Sequence, residues 1–402
     1  MAGRECGVQG RMLACRITRW RAGLRLQDGI TNRGACMTYA SIVGWGKCVP
    51  PAILTNSNLT QILETTDEWI LSRTGIRERR ISHVSLEELA YVASARALAA
   101  AGRSGSEIEL IVFGTCSHGD QVPNMASGIQ ARIGATAAAA MDVNTACTSF
   151  LYALSSATAL IKTGVVRNAL VIGAELISPF MDWADRDVAV LFGDGAAAVV
   201  LEITEREEGL IAEKLGCYAD ARETLRVHGM GGTYANRGVL YGVTQWQFEG
   251  QEIFKRAVHG MAAACEDALA RIGLTTDDVD LVVPHQANLR IIEAVAKRAQ
   301  ISLDRVFVNV QRYGNMSAAT VPVALCEALE ERRVRPGALL LMPGFGGGLT
   351  YCAHLVRWGE RTAPLQKSSV ELPPTQRSAL ELIEALRAAK TTPSAGSWTT
   401  PR

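Results

Sequence analysis

Cys147 is the residue in this sequence whose type and position most clearly suggest chemistry. It follows the predicted strand 141–143 and precedes an alanine-rich stretch from Thr148 to Thr163, which predicts a helix closed by Gly164. A thiol at a helix start faces free backbone N–H groups and the positive end of the helix dipole, and both favour the thiolate. A small buried cysteine is the ordinary structural alternative. The helix-start position makes Cys147 the candidate nucleophile.

Two further candidates lie in the second part of the chain. His285 comes directly after the apolar run 279–283, and Asn315 lies in a Gly-Asn turn. A single histidine after a strand is usually structural, and an asparagine after glycine usually serves the turn. Whether His285 and Asn315 act together with Cys147 therefore depends on how the chain is organised.

One strand–helix pattern occurs twice, before and after about residue 205. The paired features are the apolar runs 108–113 and 279–283, 138–143 and 306–310, 169–173 and 338–342, and the turns 192–195 and 345–348. Asn315 holds the place in the second copy that Cys147 holds in the first. The repeat predicts an α/β fold of two similar halves with buried mixed sheets, residues 37–205 and 206–358, whose functional groups meet at strand ends.

The two ends of the chain differ from this pattern. Residues 1–36 contain seven arginines and two acidic residues. An arginine-rich transit peptide is one interpretation, and translation starting at Met37 is the other, which we favour. Residues 359–402 are rich in Pro, Ser and Thr and are predicted to form a peripheral tail with one amphipathic helix over 378–390.

Composition excludes several classes of function. The 402 residues include 41 Lys plus Arg and 40 Asp plus Glu, so no net charge drives binding to nucleic acid or to a membrane surface. No apolar run approaches the roughly 18 residues of a membrane span. The ten cysteines form no CxxC pair and no Cys/His cluster, so we expect no metal site and a reducing, cytoplasmic location.

Several motifs together resemble those of the β-ketoacyl-[acyl-carrier-protein] synthase III family. They recur in the family's order across residues 38–358, and they are Thr66-Asp67-Glu68-Trp69-Ile70, Arg73-Thr74-Gly75-Ile76-Arg77-Glu78-Arg79, Ala146-Cys147, Phe192-Gly193-Asp194-Gly195-Ala196, Pro284-His285-Gln286-Ala287-Asn288-Leu289-Arg290, Gly314-Asn315-Met316-Ser317-Ala318-Ala319 and Phe345-Gly346-Gly347-Gly348. The resemblance implies a thiolase fold of five layers, αβαβα, in a homodimer.

The resemblance also implies a reaction, the decarboxylative condensation of an acyl-CoA with malonyl-acyl carrier protein at the start of fatty acid biosynthesis, with no cofactor. Cys147 would take the acyl group while the backbone N–H groups of Cys147 and Gly347 hold the oxyanion. His285 and Asn315 would donate hydrogen bonds to the malonyl thioester and stabilise the enolate that forms as CO2 leaves.

Substrate-binding residues follow from the same resemblance. They are Trp69, Arg73 and Arg186 for CoA, Val122 and Phe254 for the acyl pocket, and Lys255, Arg290, Lys297 and Arg298 for the acidic carrier protein. The four basic residues have an equally good alternative as a solvated helix face. Val122 stands where the family often has an aromatic ring from the partner subunit. The smaller side chain predicts a medium-chain primer.

Other condensing enzymes on the same scaffold are the alternatives. A starter-specific ketosynthase of a secondary pathway would share these motifs. A biosynthetic thiolase would carry a second cysteine just before the C-terminal glycines, where this chain has Pro343 and Gly344. A catalytically silent subunit would have lost Cys147 or His285. The stretch 116–122 and the loop 217–245 depart from the family pattern, so they leave the primer undetermined.

Overall fold

The protein is described by a computed structural model that covers residues 37–235 and 244–391. The predicted N-terminal extension, the middle of the loop 217–245 and the last residues of the tail lie outside the described residues. From Thr38 onward the described chain forms one compact unit. The boundary between the two predicted halves, at residues 205 and 206, stays a prediction.

The strands and helices alternate along the chain as the repeat predicts. The strands are β1 (Tyr39–Cys48), β2 (Ala52–Thr55), β3 (Glu78–Ile81), β4 (Leu110–Gly114), β5 (Ala139–Val143), β6 (Asn168–Glu175), β7 (Gly195–Thr204), β8 (Gly209–Cys217), β9 (Leu225–His228), β10 (Gln245–Phe248), β11 (Leu281–Val282), β12 (Leu339–Gly346) and β13 (Thr350–Arg357). The helices are α1 (Asn56–Leu59), α2 (Asp67–Thr74), α3 (Leu86–Ala101), α4 (Met125–Ile133), α5 (Ser149–Lys162), α6 (Arg186–Ala189), α7 (Gly250–Ala270), α8 (Leu289–Arg298), α9 (Val310–Tyr313), α10 (Thr320–Glu330) and α11 (Ala379–Thr391).

The main sheet consists of two halves whose strands follow the same order. Its order is β5-β4-β6-β7-β1-β8-β13-β12-β11, and β1 and β8 meet through the single parallel pair Ala40 and Gly209. From its outer edge inward, the first half has the order β5-β4-β6-β7-β1 and the second half the order β11-β12-β13-β8. The two orders correspond strand by strand once the outermost strand β5 of the first half is set aside. Both halves mix parallel and antiparallel pairs. The predicted fold class is therefore confirmed.

Helices fill a central layer and two outer layers around these sheets. The central core combines α5 and α10 with strands from both halves, while α3 and α4 cover the outer face of the first half and α7 and α8 that of the second. Small residues allow this close packing: a Cβ atom added to Gly44 in β1 would lie 2.3 Å from the carbonyl oxygen of Ala97 in α3. The abundance of glycine and alanine thus serves helix-on-sheet contact.

One predicted strand, 306–310, is wrong. Val306 forms only an isolated bridge with Val282, and α9 begins at Val310. Side-chain hydrogen bonds explain the absence of a strand at 306–310, because the Gln286 side-chain oxygen accepts from the backbone N–H groups of Asn309 and Val310 at 3.0 and 3.1 Å. These two N–H groups are therefore not available to hydrogen-bond to a neighbouring strand.

The tail returns to the body of the protein. Residues around Leu365 hydrogen-bond to the end of α3, and α11 buries Ala379, Leu382 and Ile383 in an apolar cluster with β2, β3 and α6. The helix forms where the amphipathic pattern predicts it. None of the helices in the described ranges is long and apolar enough to cross a membrane.

Candidate active site

The three predicted reactive residues line one cavity of about 700 Å³. Cys147 reaches it from the turn between β5 and α5, His285 from the segment after β11, and Asn315 from the turn after α9. The turn after α6 contacts the turn that carries Asn315, because Phe192 forms a parallel β-bridge with Asn315. The repeat therefore predicts correctly that the three side chains share one site, with a size typical of ligand pockets.

Cys147 is held by a tight turn against a glycine loop. Ala146 has a φ of 51°, a left-handed conformation that places Cys147 two residues before the first residue of α5, Ser149. A Cβ atom on Gly346 would lie 2.8 Å from the backbone nitrogen of Cys147, so only glycine fits there. The backbone N–H groups of Cys147 and Gly347 lie close enough to the thiol sulfur to lower its pKa.

Burial governs the protonation of this thiol. Removal from water raises the pKa of Cys147 to about 11 and outweighs the hydrogen bonds from Ser317, Cys147 and Gly347, which lower it. The nearby carboxylate of Glu175 also raises this pKa. The resting group is therefore the thiol, which corrects the expectation that a helix start alone would supply the thiolate.

The Asn315 side chain is oriented by its own turn. Its Oδ1 atom accepts a hydrogen bond of 2.8 Å from the backbone N–H of Ser317, so the oxygen faces the protein. The backbone of Asn315 is fixed by donation to the carbonyl of Leu191 and by acceptance from Gly193. The two amide hydrogens are left to donate into the cavity.

The His285 imidazole is buried and neutral. Burial lowers its pKa to about 3, and its Nδ1 atom lies 2.6 Å from the Thr320 hydroxyl. The Thr320 hydroxyl also lies 3.0 Å from the Ser317 carbonyl oxygen, and its one hydrogen can be donated either to that oxygen or to Nδ1. Donation to Nδ1 places the ring proton on Nε2, where it faces substrate as a donor, whereas donation to the carbonyl places the proton on Nδ1.

Removing this hydroxyl is expected to change the tautomer of His285. In Thr320→Val the Nδ1 atom loses the hydroxyl that holds the ring proton on Nε2 when it donates to Nδ1, so the proton distribution between the two ring nitrogens changes and the enolate-stabilising bond weakens. We expect malonyl decarboxylation to fall about tenfold, while Thr320→Ser, which keeps the hydroxyl, stays near wild type. Nitrogen chemical shifts of His285 report the tautomer directly. Identical shifts in wild type and Thr320→Val would contradict the assignment.

Two arginines flank the indole ring predicted to bind CoA. The guanidinium of Arg73 lies 4.4 Å and that of Arg186 5.0 Å from the ring centre of Trp69. Trp69 and Arg73 line the cavity, and Arg186 donates to the carbonyl of Glu64 at 3.0 Å. A base stacked between two planar groups needs about 7 Å between them. Arg186 therefore has to move away from the indole before an adenine ring enters as predicted.

The predicted carrier-protein residues lie on exposed faces of α7 and α8. Lys255, Arg290, Lys297 and Arg298 are all exposed, and none is within ion-pair distance of a described carboxylate. Arg290 also lines the cavity and stands 5.9 Å from the ring centre of Phe254. An unpaired basic surface thus borders the cavity entrance.

The two predicted acyl-pocket residues differ in position. Phe254 lines the cavity. Val122 is absent from the described cavity walls of its own subunit and is 83% exposed. The predicted role for Val122 in a partner's tunnel therefore depends on an assembly of two chains.

The structure adds three residues that sequence reasoning missed, Glu175, Ser317 and Thr320. Glu175 ends β6 and is fully buried, with its carboxylate 3.0 Å from the Ser317 hydroxyl. Ser317 in turn lies 3.4 Å from the Cys147 sulfur. A sequence signal existed for Glu175, since an acidic residue that closes a buried apolar strand on the same sheet edge as the nucleophile is unusual.

The fold and this cavity define a condensing enzyme of the thiolase fold. The family model for 3-oxoacyl-[acyl-carrier-protein] synthase III matches residues 141–219, and the model for the C-terminal part of that family matches residues 269–358. The chain is 52% identical over 345 residues to β-ketoacyl-[acyl-carrier-protein] synthase III 2 of Vibrio cholerae, with 86% of this chain and 95% of that protein covered. This chain belongs to the 3-oxoacyl-[acyl-carrier-protein] synthase III family, and it is an acyltransferase.

Solved structures agree with the family assignment. The 3-oxoacyl-[acyl-carrier-protein] synthase III of Aquifex aeolicus superposes with a TM-score of 0.74 at 41% identity, covering 79% of this chain and all of that one. The priming β-ketosynthase of the R1128 polyketide pathway superposes with a TM-score of 0.76 at 32% identity, covering 80% of this chain and 97% of the other.

Proposed function

We propose that this enzyme condenses an acyl-CoA primer with malonyl-acyl carrier protein, releases CO2 and forms 3-oxoacyl-acyl carrier protein for fatty acid biosynthesis. The observation that carries the proposal is the convergence of Cys147, His285 and Asn315 on one cavity. The relatives' names indicate a synthase that acts on acyl-carrier-protein substrates.

In the first step the Cys147 sulfur attacks the acyl-CoA thioester. The N–H groups of Cys147 and Gly347, which lie beside the sulfur and lower its pKa, are proposed to donate to the oxyanion. The acyl chain passes to Cys147 and the CoA thiol leaves.

In the second step the malonyl thioester loses CO2 beside the acylated cysteine. Decarboxylation places negative charge on the thioester oxygen, so it needs donors and no competing base. The amide group of Asn315 and the Nε2–H of neutral His285 supply them. The enolate carbon then attacks the acyl carbon and releases Cys147.

Two surfaces accommodate the large substrates. Trp69, Arg73 and Arg186 bind the CoA adenine and phosphates once Arg186 has left the indole face. The exposed basic residues of α7 and α8 attract the acidic carrier protein at the cavity entrance. These contacts supply the local positive charge that an almost neutral chain otherwise lacks.

We also propose a homodimer that works in the cytoplasm without metal or cofactor. The edge strand β5 leaves Ala140, Met141 and Val143 partly exposed in the single chain, and a paired edge would cover them. The cysteines in the described ranges are free, as is typical of a reducing compartment. Sedimentation velocity of the purified chain tests the dimer, and turnover after dialysis against chelator tests the absence of metal.

Turnover with a series of acyl-CoAs and malonyl-acyl carrier protein tests the reaction. We expect 3-oxoacyl-acyl carrier protein and one CO2 for each CoA released. If CoA is released without CO2, the non-decarboxylating alternative is correct instead.

A starter-specific ketosynthase is the second candidate. Its support is the likeness to the priming β-ketosynthase of the R1128 polyketide pathway. The same substrate series separates the two candidates when it is run with two carrier proteins, one from fatty acid synthesis and one from a polyketide pathway. Exclusive use of the polyketide carrier protein would favour the second candidate.

The primer is predicted to be medium-chain because Val122 replaces the usual aromatic ring. Each additional buried methylene contributes about 0.8 kcal/mol, nearly fourfold in binding. We expect wild type to prefer octanoyl-CoA to acetyl-CoA in kcat/KM, and Val122→Phe to shift the preference toward short primers. Faster turnover of acetyl-CoA by wild type would show that the prediction is wrong. Val165→Phe, at another exposed valine, controls for a surface aromatic.

A further inference from the structure

Glu175 is a buried carboxyl group beside the nucleophile that the steps above do not use. It is fully buried at the end of β6, and none of the ion pairs in the described part of the chain includes it. A buried carboxylate without a cation is costly unless several donors compensate it. Such a group needs an explanation, and its neighbours supply one.

Donors surround the Glu175 carboxylate on both oxygens. Oε1 accepts from the backbone N–H of Cys116 at 3.1 Å and from the Ser317 hydroxyl at 3.0 Å. Oε2 accepts from the hydroxyls of Thr115, at 3.0 Å, and Ser117. These bonds favour the ionised carboxylate against the burial that raises its pKa. The result is a carboxylate of higher basicity than an exposed glutamate.

Ser317 connects this carboxylate to the reactive thiol. Its hydroxyl oxygen lies 3.4 Å from the Cys147 sulfur and 3.0 Å from Glu175 Oε1. A hydroxyl has one hydrogen, and an ionised carboxylate can only accept, so Ser317 donates to Glu175. The contact with Cys147 likewise has Ser317 placed as the donor, so the one hydroxyl hydrogen serves one acceptor at a time. While it serves Glu175, the Ser317 oxygen has a lone pair for the Cys147 proton as the thiol turns toward it.

The backbone fixes Ser317 in this position. Ser317 has a φ of 48°, which is uncommon for a residue with a side chain, and its N–H donates to Asn315 Oδ1 at 2.8 Å. Strained residues persist where the surrounding structure determines them, and they cluster at reacting sites. The same turn therefore aims the Asn315 amide into the cavity and the Ser317 hydroxyl at the sulfur.

We propose that Ser317 and Glu175 form the proton route of the nucleophile, with Ser317 as a catalytic residue and Glu175 as the residue that accepts the proton through it. The proposal rests on the proposed function, because the acyl-CoA thioester is the electrophile. As the Cys147 sulfur bonds to the acyl carbon, its proton moves to Ser317 Oγ and the Ser317 proton moves to Glu175. The bond between the acyl carbon and the CoA sulfur breaks, and the proton returns through Ser317 to the departing sulfur. One thiol is exchanged for another, so atoms and charge balance.

The protonated thiol of Cys147 needs a base, and this route supplies one. The Cys147 thiol, with a pKa of about 11, is almost entirely protonated near neutral pH. His285, whose pKa is lowered to about 3, is a poor base. Glu175 has its pKa raised by burial and has a hydrogen-bonded path to the sulfur. It is better suited to accept the proton.

The titratable groups around Glu175 determine which group a change of the acylation rate with pH is assigned to. From the segment after β4 it meets the hydroxyls of Thr115 and Ser117 and the Cys116 thiol, and from the turn before α10 the Ser317 hydroxyl and the Ala318 N–H. The Cys147 thiol faces it through Ser317. The titratable groups are thus Glu175 and the two thiols. Since both thiol pKa values are raised, the acid limb belongs to Glu175.

Single-turnover acylation of Cys147 between pH 5 and 9 tests the proposal, with the acyl peptide measured by mass spectrometry. In wild type the rate is expected to fall as pH falls through the Glu175 pKa, because the protonated group no longer accepts. Glu175→Gln preserves the shape, and its amide still accepts from the Cys116 N–H. We expect it to be about 100-fold slower on the plateau, with a rate that keeps rising with pH as the thiolate fraction grows.

Ser317→Ala provides the second variant and Ser155→Ala the matched control. Ser155 is a buried serine on α5 that donates to Glu213 and has no contact with the cavity residues above. We expect Ser317→Ala to lose most of the acylation rate and Ser155→Ala to keep it. Thermal unfolding verifies that each variant is folded. The proposal is overturned if Glu175→Gln shows the wild-type rate and pH profile, or if Ser317→Ala is no slower than Ser155→Ala.

Alkylation of Cys147 by iodoacetamide, mapped to its peptide, separates this proposal from the proposed function. The reagent needs the thiolate but no acyl-CoA site. If acyl-CoA fails to acylate wild type, the proposed function is wrong, and the alkylation rates still decide on the proton route. Slower alkylation in Glu175→Gln and Ser317→Ala than in Ser155→Ala supports the route, and equal rates overturn it.

Discussion

Cys147→Ala is expected to abolish acyl transfer from CoA, the largest effect of any single change in this chain. The variant lacks the sulfur that, in wild type, lies beside the backbone N–H groups of Cys147 and Gly347. No covalent acyl-enzyme then forms, and the condensation loses its electrophile. Incubation with radiolabelled acyl-CoA followed by peptide mapping measures the loss.

Cys352→Ala is the matched control. Cys352 lies in β13, is fully buried, and faces the core near Gly344, away from the cavity lining. Its removal costs about 1 kcal/mol of stability, and most of the acylation rate should remain. Acyl label on any other cysteine of wild type would contradict the assignment of the nucleophile.

His285→Ala and Asn315→Ala are expected to separate the two steps of the reaction. Both variants should still place an acyl group on Cys147, because neither side chain takes the thiol proton. Each removes one donor to the enolate oxygen, so malonyl decarboxylation should fall about 100- to 1000-fold. Release of labelled CO2 from malonyl-acyl carrier protein measures the loss.

The second buried histidine controls for the loss of an imidazole. His354 in β13 also has its pKa lowered to about 3 by burial, and it contacts Ser155 outside the cavity. His354→Ala should lower thermal stability but leave the ratio of acylation to decarboxylation unchanged. If His285→Ala instead loses acylation and keeps decarboxylation, the two roles are reversed.

The sequence is sufficient to predict that Cys147, His285 and Asn315 meet in one cavity, because their signals are local. Cys147 is marked by a strand, a turn and a helix start, and the internal repeat relates Asn315 to it. The family resemblance implies that the backbone of Gly347 lies beside the reacting atoms, and the close approach of the adjacent Gly346 to the Cys147 backbone agrees with this. Short-range pattern and repeat symmetry thus carry most of the information on the cavity.

What the sequence does not reveal depends on contacts between distant residues. Glu175 and Ser317 are 142 positions apart, and their hydrogen bond exists only after the two halves have packed. The protonation of Cys147 likewise follows from burial, which a helix-start argument does not include. The missing strand at 306–310 has the same origin, since the Gln286 side chain competes for its backbone donors.

The tail helix α11 shares an apolar cluster with the indole ring that is proposed to bind CoA. Leu382 and Ile383 belong to the apolar cluster that also contains Val188 of α6, and Trp69 packs against that cluster. Substitutions in the tail that alter side-chain volume are therefore expected to tilt the indole ring and, under the proposed function, to change the strength of CoA binding while the reacting groups stay in place. Under the proposed function, the size of the side chains at Leu382 and Ile383 would thus set the primer concentration that the enzyme needs separately from the rate of chemistry.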